Sequence, residues 1–219
     1  MSDEHTYKLI YFNARGRAEH IRYIFAYTGI EYTDERIPEE LWPEYKDSMP
    51  YKKLPVLEID GKPVAQSNAV ARYLARKYDL MGKDEWDAMI CDELVDTLGD
   101  LKQGEYICYY RMEENPEKKE ARKNQLLNET IPFYLTKFDQ IIGKNKGYII
   151  PSTVQNKCIQ TFFQTTWADF VFAAALENYE YMFGAPALDK YPALRALKKR
   201  IHRIPAISDW LIRRPFTNS

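Results

Sequence analysis

KKLPVLEIDGKPVAQSNAVARYLARKY, residues 52 to 78, joins a hairpin to a helix within one short stretch. Val56-Leu57-Glu58-Ile59 and Pro63-Val64-Ala65 are apolar runs on either side of Asp60-Gly61. Asp-Gly between two such runs signals a tight hairpin, because both central residues of the turn need positive φ. After Gln66-Ser67, the residues Val70, Ala71, Leu74 and Tyr78 fall on one helical face. Ser67 is placed to cap that helix. A helix that opens directly after a hairpin offers free backbone N–H groups beside a hydroxyl and an amide, a combination that holds a small carboxylate. Taken alone, the stretch reads equally well as a plain hairpin and helix.

Outward from it, the rest of the chain falls into two patterns. Tyr7 to Phe12 alternates as a strand, with Leu9 and Tyr11 on one face. Residues 18 to 29 follow as a helix in which Ala18, Ile21, Ile24, Phe25 and Thr28 share a stripe and Gly29 ends it. Glu31 to Arg36 reads as a second strand, and Leu41 to Ser48 as a short helical segment carrying Trp42 and Lys46. The resulting β-α-β-α-β-β-α order favours an α/β layer with a parallel strand pair. Past Asp79 to Asp84 no strand of comparable quality follows. Ile90, Leu94, Leu98 and Leu101 keep helical spacing, as do Ile207, Trp210 and Leu211. A domain boundary is therefore expected near residue 83, with an α/β domain over 5–83 and an all-helical domain over 84–219.

Composition narrows the function. At 219 residues the chain can bury a sizeable core. Its net charge of −1 argues against nucleic acid or an anionic membrane as the main partner. The opening MSDEHTYK lacks the apolar region of a secretory signal, and no apolar run approaches the roughly 20 residues of a membrane span. Cys91, Cys108 and Cys158 include no C-x-x-C and suggest neither a disulfide framework nor a zinc site. His5, His20 and His202 are scattered, so no metal is expected. A reduced, cytoplasmic protein is the simplest reading.

Leu54-Pro55 followed by Gln66-Ser67, together with the opening Tyr7-Lys8-Leu9-Ile10-Tyr11-Phe12-Asn13-Ala14-Arg15-Gly16-Arg17-Ala18-Glu19, resembles the glutathione transferases. The opening is similar to the sigma class, which includes glutathione-dependent prostaglandin D synthases and the lens S-crystallins. The resemblance runs from Tyr7 to Pro215. It implies a thioredoxin-like first domain, an all-helical second domain forming a hydrophobic substrate pocket, glutathione as co-substrate, and a homodimer.

The resemblance assigns chemistry residue by residue. Tyr11 is the residue whose hydroxyl would donate to the glutathione sulfur. A free thiol has a pKa of about 8.5, so at neutral pH it needs such a donor to favour the thiolate. Arg17 adds positive field beside it. Trp42, Lys46 and Lys53 would hold the glycine end of glutathione, and Gln66 with Ser67 the γ-glutamyl carboxylate. The family has a cis peptide before the residue matching Pro55, which turns the backbone of Leu54 toward the cysteinyl backbone of glutathione. Lys52 departs from a frequent glycine, so its backbone is not assigned a contact. Asp96 and Asp100 share a helical face, and the aspartate matching Asp100 reaches the glutathione amine of the other subunit. The vertebrate synthases bind a divalent cation through an aspartate where this chain has Gly99, so that metal site is not carried over.

Phe12 and Arg17 match the floor of the second-substrate pocket. Lys102 and Ile107 replace a methionine and a tryptophan of the vertebrate synthases, which disfavours prostaglandin isomerisation. Thr166-Trp167-Ala168-Asp169 reads as a capping box with a folding role. Cys108 reads as a buried hydrophobe. Between Tyr148-Ile149-Ile150, a strand-like run, and the box, Pro151 to Thr165 is about eleven residues longer than the family's turn, an extension that costs little in loop-closure entropy. It is expected as a surface loop outside the glutathione site, with Thr165 in place of an aliphatic staple residue.

Three functions follow. The first is a transferase conjugating glutathione to hydrophobic electrophiles, with organic hydroperoxides as further substrates and detoxification as its setting. The second is the prostaglandin-H D-isomerase of the class. The third is a structural or ligand-carrying protein like the S-crystallins. A thiol–disulfide oxidoreductase is excluded, because the loop Phe12-Asn13-Ala14-Arg15-Gly16 carries no cysteine.

Overall fold

In the computed structural model, residues 4–102, 114–151 and 164–217 are described. The first part is a mixed four-stranded sheet. β1 (Tyr7–Phe12) pairs in parallel with β2 (Thr33–Ile37) and antiparallel with β3 (Val56–Ile59), which pairs antiparallel with β4 (Lys62–Ala65). The strand order is β2-β1-β3-β4. α1 (Glu19–Thr28) makes the crossover between the two parallel strands, and α3 (Ser67–Lys77) follows the hairpin. Between β2 and β3 the chain makes the short helix α2 (Trp42–Tyr45), flanked by single 3-10 turns at Glu39–Leu41 and Lys46–Ser48.

The hairpin turn is as its sequence dictates. Asp60 has φ 51° and Gly61 φ 76°, the positive pair that this two-residue turn requires. Gly29 ends α1 in the left-handed conformation, φ 69°. Two expectations need correction. The second strand starts later, at Thr33, and reaches Ile37. Gln66, with φ 74°, occupies the cap position of α3, so Ser67 is its first helical residue rather than its cap. Leu9 and Tyr11 share a face of β1 as expected, and the strand is buried on its other face as well. Tyr7, Leu9 and Tyr11 pack toward α1 and α3, while Ile10 packs with Ile37 and Val56 on the opposite side. A strand flanked on both edges and covered on both faces loses its polar alternation.

Beyond α3 the described residues contain helices and no strand. They are α4 (Glu85–Leu101), α5 (Pro116–Gln125), α6 (Ile131–Lys144), α7 (Trp167–Phe183), α8 (Pro192–His202) and α9 (Pro205–Arg213). A thioredoxin-like layer followed by an all-helical part is thus the architecture. α7 is buried nearly all round, from Trp167 to Leu176, and α1 packs against it and against α9. One continuous core runs through both parts. None of the described helices is long and apolar enough to cross a membrane.

The capping box at Thr166 is formed. The Asp169 carboxylate accepts from the Thr166 backbone N–H at 2.8 Å and from its hydroxyl at 2.9 Å. The same fully buried carboxylate pairs with Arg200 of α8 and receives the Ile149 N–H at 3.4 Å. Tyr148-Ile149-Ile150 is therefore a pinned irregular segment rather than a strand, with Asn145 Nδ2 donating to the Ile149 carbonyl at 2.9 Å. Thr165, where a staple residue was missing, accepts from Arg200 at 3.2 Å. A polar tie stands there instead. Most of the long segment before it, residues 152–163, lies outside the described residues, as do Ile107, Cys108 and Cys158.

Candidate active site

Tyr11 leaves the sheet next to the last residue of β1, and the loop that follows curls back over it. The backbone N–H of Arg17 donates to the Tyr11 hydroxyl oxygen at 3.1 Å. Gly16 makes that return possible. It sits at φ 40°, and a Cβ there would lie 2.5 Å from the Tyr11 hydroxyl. From below, Arg22 stands 6.0 Å from the centre of the Tyr11 ring. Its guanidinium, wholly buried, donates to the Ala14 carbonyl at 2.7 Å, to Glu19 at 3.1 Å and to Asp34 at 3.2 Å. Arg36 holds Asn13 at 3.1 Å. The phenol is thereby fixed in place with one lone pair already occupied, and its own proton remains to be donated.

Arg17 projects from the start of α1 toward the start of α3 and the end of α4. There a cavity of about 120 Å³ is lined by Arg17, His20, Gln66, Ser67 and Lys102, with Leu98 among its apolar wall residues. Gln66, Ser67 and Arg17, three of the residues singled out in the sequence, therefore meet. His20 is the neighbour that the sequence did not single out. Its Nε2–H donates to the Ser67 carbonyl at 3.4 Å, tying α1 to the first turn of α3. Burial first, and the Lys102 charge second, push its pKa down to about 3, so the imidazole is neutral. Its place three residues after Arg17, where the loop runs into α1, was the available signal.

Phe12 and Trp42 lie on the other side of Tyr11. Their rings meet edge to face with centres 5.4 Å apart, and the Tyr11 and Phe12 rings are 5.6 Å apart. Lys46 and Lys53 are exposed near this end, and neither makes an ion pair with a described residue. Lys52 pairs with Asp47 at 2.6 Å on the surface. The Leu54–Pro55 peptide bond is cis. On α4, Asp92 and Asp96 are held by Arg72 of α3 at 2.7 Å and 3.4 Å, whereas Asp100 is exposed and outside that group. Among the described residues no cluster of three or more His, Cys, Asp or Glu side chains forms a metal site. Cys91 is buried, and burial pushes its thiol up to about 12, which makes it unreactive.

Two family comparisons cover most of the chain. Residues 7–76 match the glutathione S-transferase N-terminal domain, and residues 100–214 match the glutathione S-transferase C-terminal domain. The chain belongs to the glutathione S-transferase family. Glutathione transfer is the activity that comes with this membership. Among its relatives in the family are a hematopoietic prostaglandin D synthase of Homo sapiens, 39% identical over 96% of this chain and 98% of the relative, and glutathione S-transferase S1 of Drosophila melanogaster, 37% identical over 98% and 81%. The structure of a prostaglandin synthase D of Nilaparvata lugens superimposes with a TM-score of 0.87 at 36% identity, covering 97% of this chain and 100% of that one. The sigma-type resemblance read from Tyr7 to Glu19 agrees with these relatives.

Proposed function

We propose that this transferase binds glutathione along the edge that runs from Lys53 to Ser67 and attacks hydrophobic electrophiles with the glutathione sulfur, held at the Tyr11 hydroxyl. What carries the reading is the Arg17 N–H bond to the Tyr11 oxygen beside Gly16, which aims a phenolic proton outward from a fixed position. The glutathione thiol loses its proton to solvent, and the Tyr11 O–H donates to the sulfur that remains. The thiolate then forms a C–S bond, and the leaving group departs with its electron pair. Arg17 adds positive charge beside the sulfur. Gln66 and Ser67 hold the γ-glutamyl carboxylate at the start of α3, and Trp42, Lys46 and Lys53 hold the glycine carboxylate. The Leu54 backbone pairs with the cysteinyl backbone. Phe12 forms the wall for the electrophile, a role the family likeness also implies for Ile107. Asp100 reaches the ammonium of glutathione bound by the second subunit of a homodimer, in the cytoplasm. Residues 5–83 supply the glutathione side, and 84–219 supply the electrophile side.

Conjugation of glutathione to a neutral aryl halide tests this reading. A folded protein that binds glutathione without turnover would favour the structural, crystallin-like role. A second reading, isomerisation of a prostaglandin endoperoxide, draws support from the 39% identity to the human synthase. Product analysis after incubation with the endoperoxide and glutathione separates it from simple conjugation.

A further inference from the structure

Asp34 lies on β2, the edge strand, opposite Leu9 of β1, and Arg36 lies opposite Tyr11. Neither residue belongs to a motif. Yet the one Asp34 carboxylate holds two guanidiniums, one on each oxygen. Oδ1 accepts from Arg22 Nε at 3.2 Å, and Oδ2 accepts from Arg36 Nε at 2.9 Å. Each guanidinium then spends another nitrogen on the loop that leaves β1. Arg36 Nη1 donates to Asn13 Oδ1 at 3.1 Å, and Arg22 Nη1 donates to the Ala14 carbonyl at 2.7 Å. Two consecutive loop residues are thereby tied to a single carboxylate on the neighbouring strand.

The loop has little hold of its own. Its backbone turns back once at Ala14, whose N–H donates to the Phe12 carbonyl at 2.7 Å, and next bonds where the Arg15 carbonyl receives Ala18 at 3.1 Å. A segment with few backbone bonds opens easily unless side chains fix it. Its far end carries Gly16 and the Arg17 N–H that meets the Tyr11 oxygen. Displacing Asn13 and Ala14 therefore displaces the group that orients the phenol. The ties are well sheltered: the Arg22, Arg36 and Asp34 side chains are 0%, 13% and 19% exposed. Charge-assisted bonds out of water fix geometry firmly.

We propose that Asp34, through Arg22 and Arg36, is a positioning residue for Tyr11: this clamp sets how the phenolic proton meets the glutathione sulfur, and so how far the bound thiol ionises. This rests on the transferase reading above. None of the three side chains is a glutathione contact in that reading, so the clamp acts on the reaction only through the phenol.

The ultraviolet absorbance of the thiolate of bound glutathione, followed across a pH series beside steady-state kinetics, tests the clamp. Asp34→Asn keeps the size of the side chain and removes the charge shared by both guanidiniums. Arg22 retains Glu19 at 3.1 Å. The variant should ionise the bound thiol at a higher pH and lower kcat at neutral pH by about 3- to 30-fold, within the range for losing the donor itself. The KM of glutathione should stay as in wild type. Arg36→Met should act in the same direction, and Arg36→Lys should recover part of the loss. In a Tyr11→Phe background, Asp34→Asn should add nothing, because no hydroxyl is left to position. An equal loss with and without the hydroxyl would overturn the proposal. So would a lowered melting temperature with unmoved thiol ionisation, which would make the clamp purely structural. If Asp34→Asn does not fold, Arg36→Met carries the same cycle from nearer the surface. Unchanged ionisation in Tyr11→Phe alone would refute the role of Tyr11 in the transferase reading, and the clamp with it.

Discussion

Two groups of charges gather around helix α1 and met opposite fates. On its inner side, Glu19 accepts from Arg22 at 3.1 Å, from Trp210 Nε1 at 2.9 Å and from Arg214 at 2.7 Å. Glu177 of α7 accepts from Arg15 at 3.1 Å, from the Tyr23 hydroxyl at 2.9 Å and from Arg214. The two carboxylates and three guanidiniums close on one another and join the sheet layer to the helices. Near its start, Arg17 and Lys102 face a cavity lined by no carboxylate among the described residues. A set of largely buried charges that pair with one another contributes to holding the domains in register, and most of its cost is offset by its own members, with Arg15 Nε and Arg22 Nη2 left without a partner among the described residues. An open set has its counter-charge missing, and a substrate can supply it. The contrast assigns structure to one group and recognition to the other.

The closed group breaks most severely. Glu177→Ala leaves Arg15 and Arg214 without their shared partner and should cost about 3–5 kcal/mol, the usual penalty for breaking a buried ion pair from one side. Denaturant unfolding measures it, and a loss below about 1 kcal/mol, the level of a surface pair, would mean that the cluster is not a structural lock.

Next in size are changes at the phenol that divides the two groups. Tyr11→Phe should lower turnover on the order of 10- to 10³-fold, the scale for removing one hydrogen bond from an anion at the reacting atom, while glutathione still binds. Gly16→Ala should lower turnover on the same scale, about 10-fold or more, because its Cβ would take the place of the Tyr11 hydroxyl. Steady-state kinetics with parallel thermal melts separates this from unfolding. Full activity in Gly16→Ala would show that the loop has room that the structure denies it.

Acid titration sharpens the comparison. Burial alone would raise the Glu177 carboxyl, but the Arg214 hydrogen bond and charge outweigh it and bring it from 4.5 down to about 2. A lowered carboxyl contributes stability that is complete above its unfolded value and is lost as pH falls through its folded one. The closed group should therefore weaken between pH 4.5 and about 2, and Glu177→Gln should flatten that part of the stability curve. An unchanged acid limb in the variant would contradict the coupling to Arg214. The smallest effect belongs to the exposed cations. Lys53→Ala should raise the KM of glutathione by about 2- to 5-fold, as expected for a solvated charge pair, and added salt should erase the difference. A salt-independent change would place Lys53 in a drier site than its exposure indicates.

The local patterns and the family likeness carried far, for physical reasons that can be named. The Asp60-Gly61 turn, the Gly29 stop and the Thr166–Asp169 box each rest on the conformational or hydrogen-bonding preference of a few adjacent residues, so all three are legible in a linear string. The position of Tyr11 beside Arg17 was legible through the motif that contains both. The two-sided burial of β1 was not, because strand order arises from long-range pairing that alternation does not encode.

Arg22 and His20 show what only the tertiary structure decided. Each is a polar residue on a helix, and residues of their kinds are usually found outside or half-outside. Arg22 is instead fully buried, with Ala14 of the loop, Glu19 of its own helix and Asp34 of β2 accepting from Nε and Nη1, while Nη2 has no partner among the described residues. Lys102 reads as an ordinary helix-terminal cation until α1 and α3 are folded over it. The sequence by itself determined the turn and cap chemistry, the helical stripes and the transferase motifs, because these depend on near neighbours. Whether a charge is closed by partners or left open to a ligand depends on which distant elements surround it, and that was decided only when the two parts of the chain packed together.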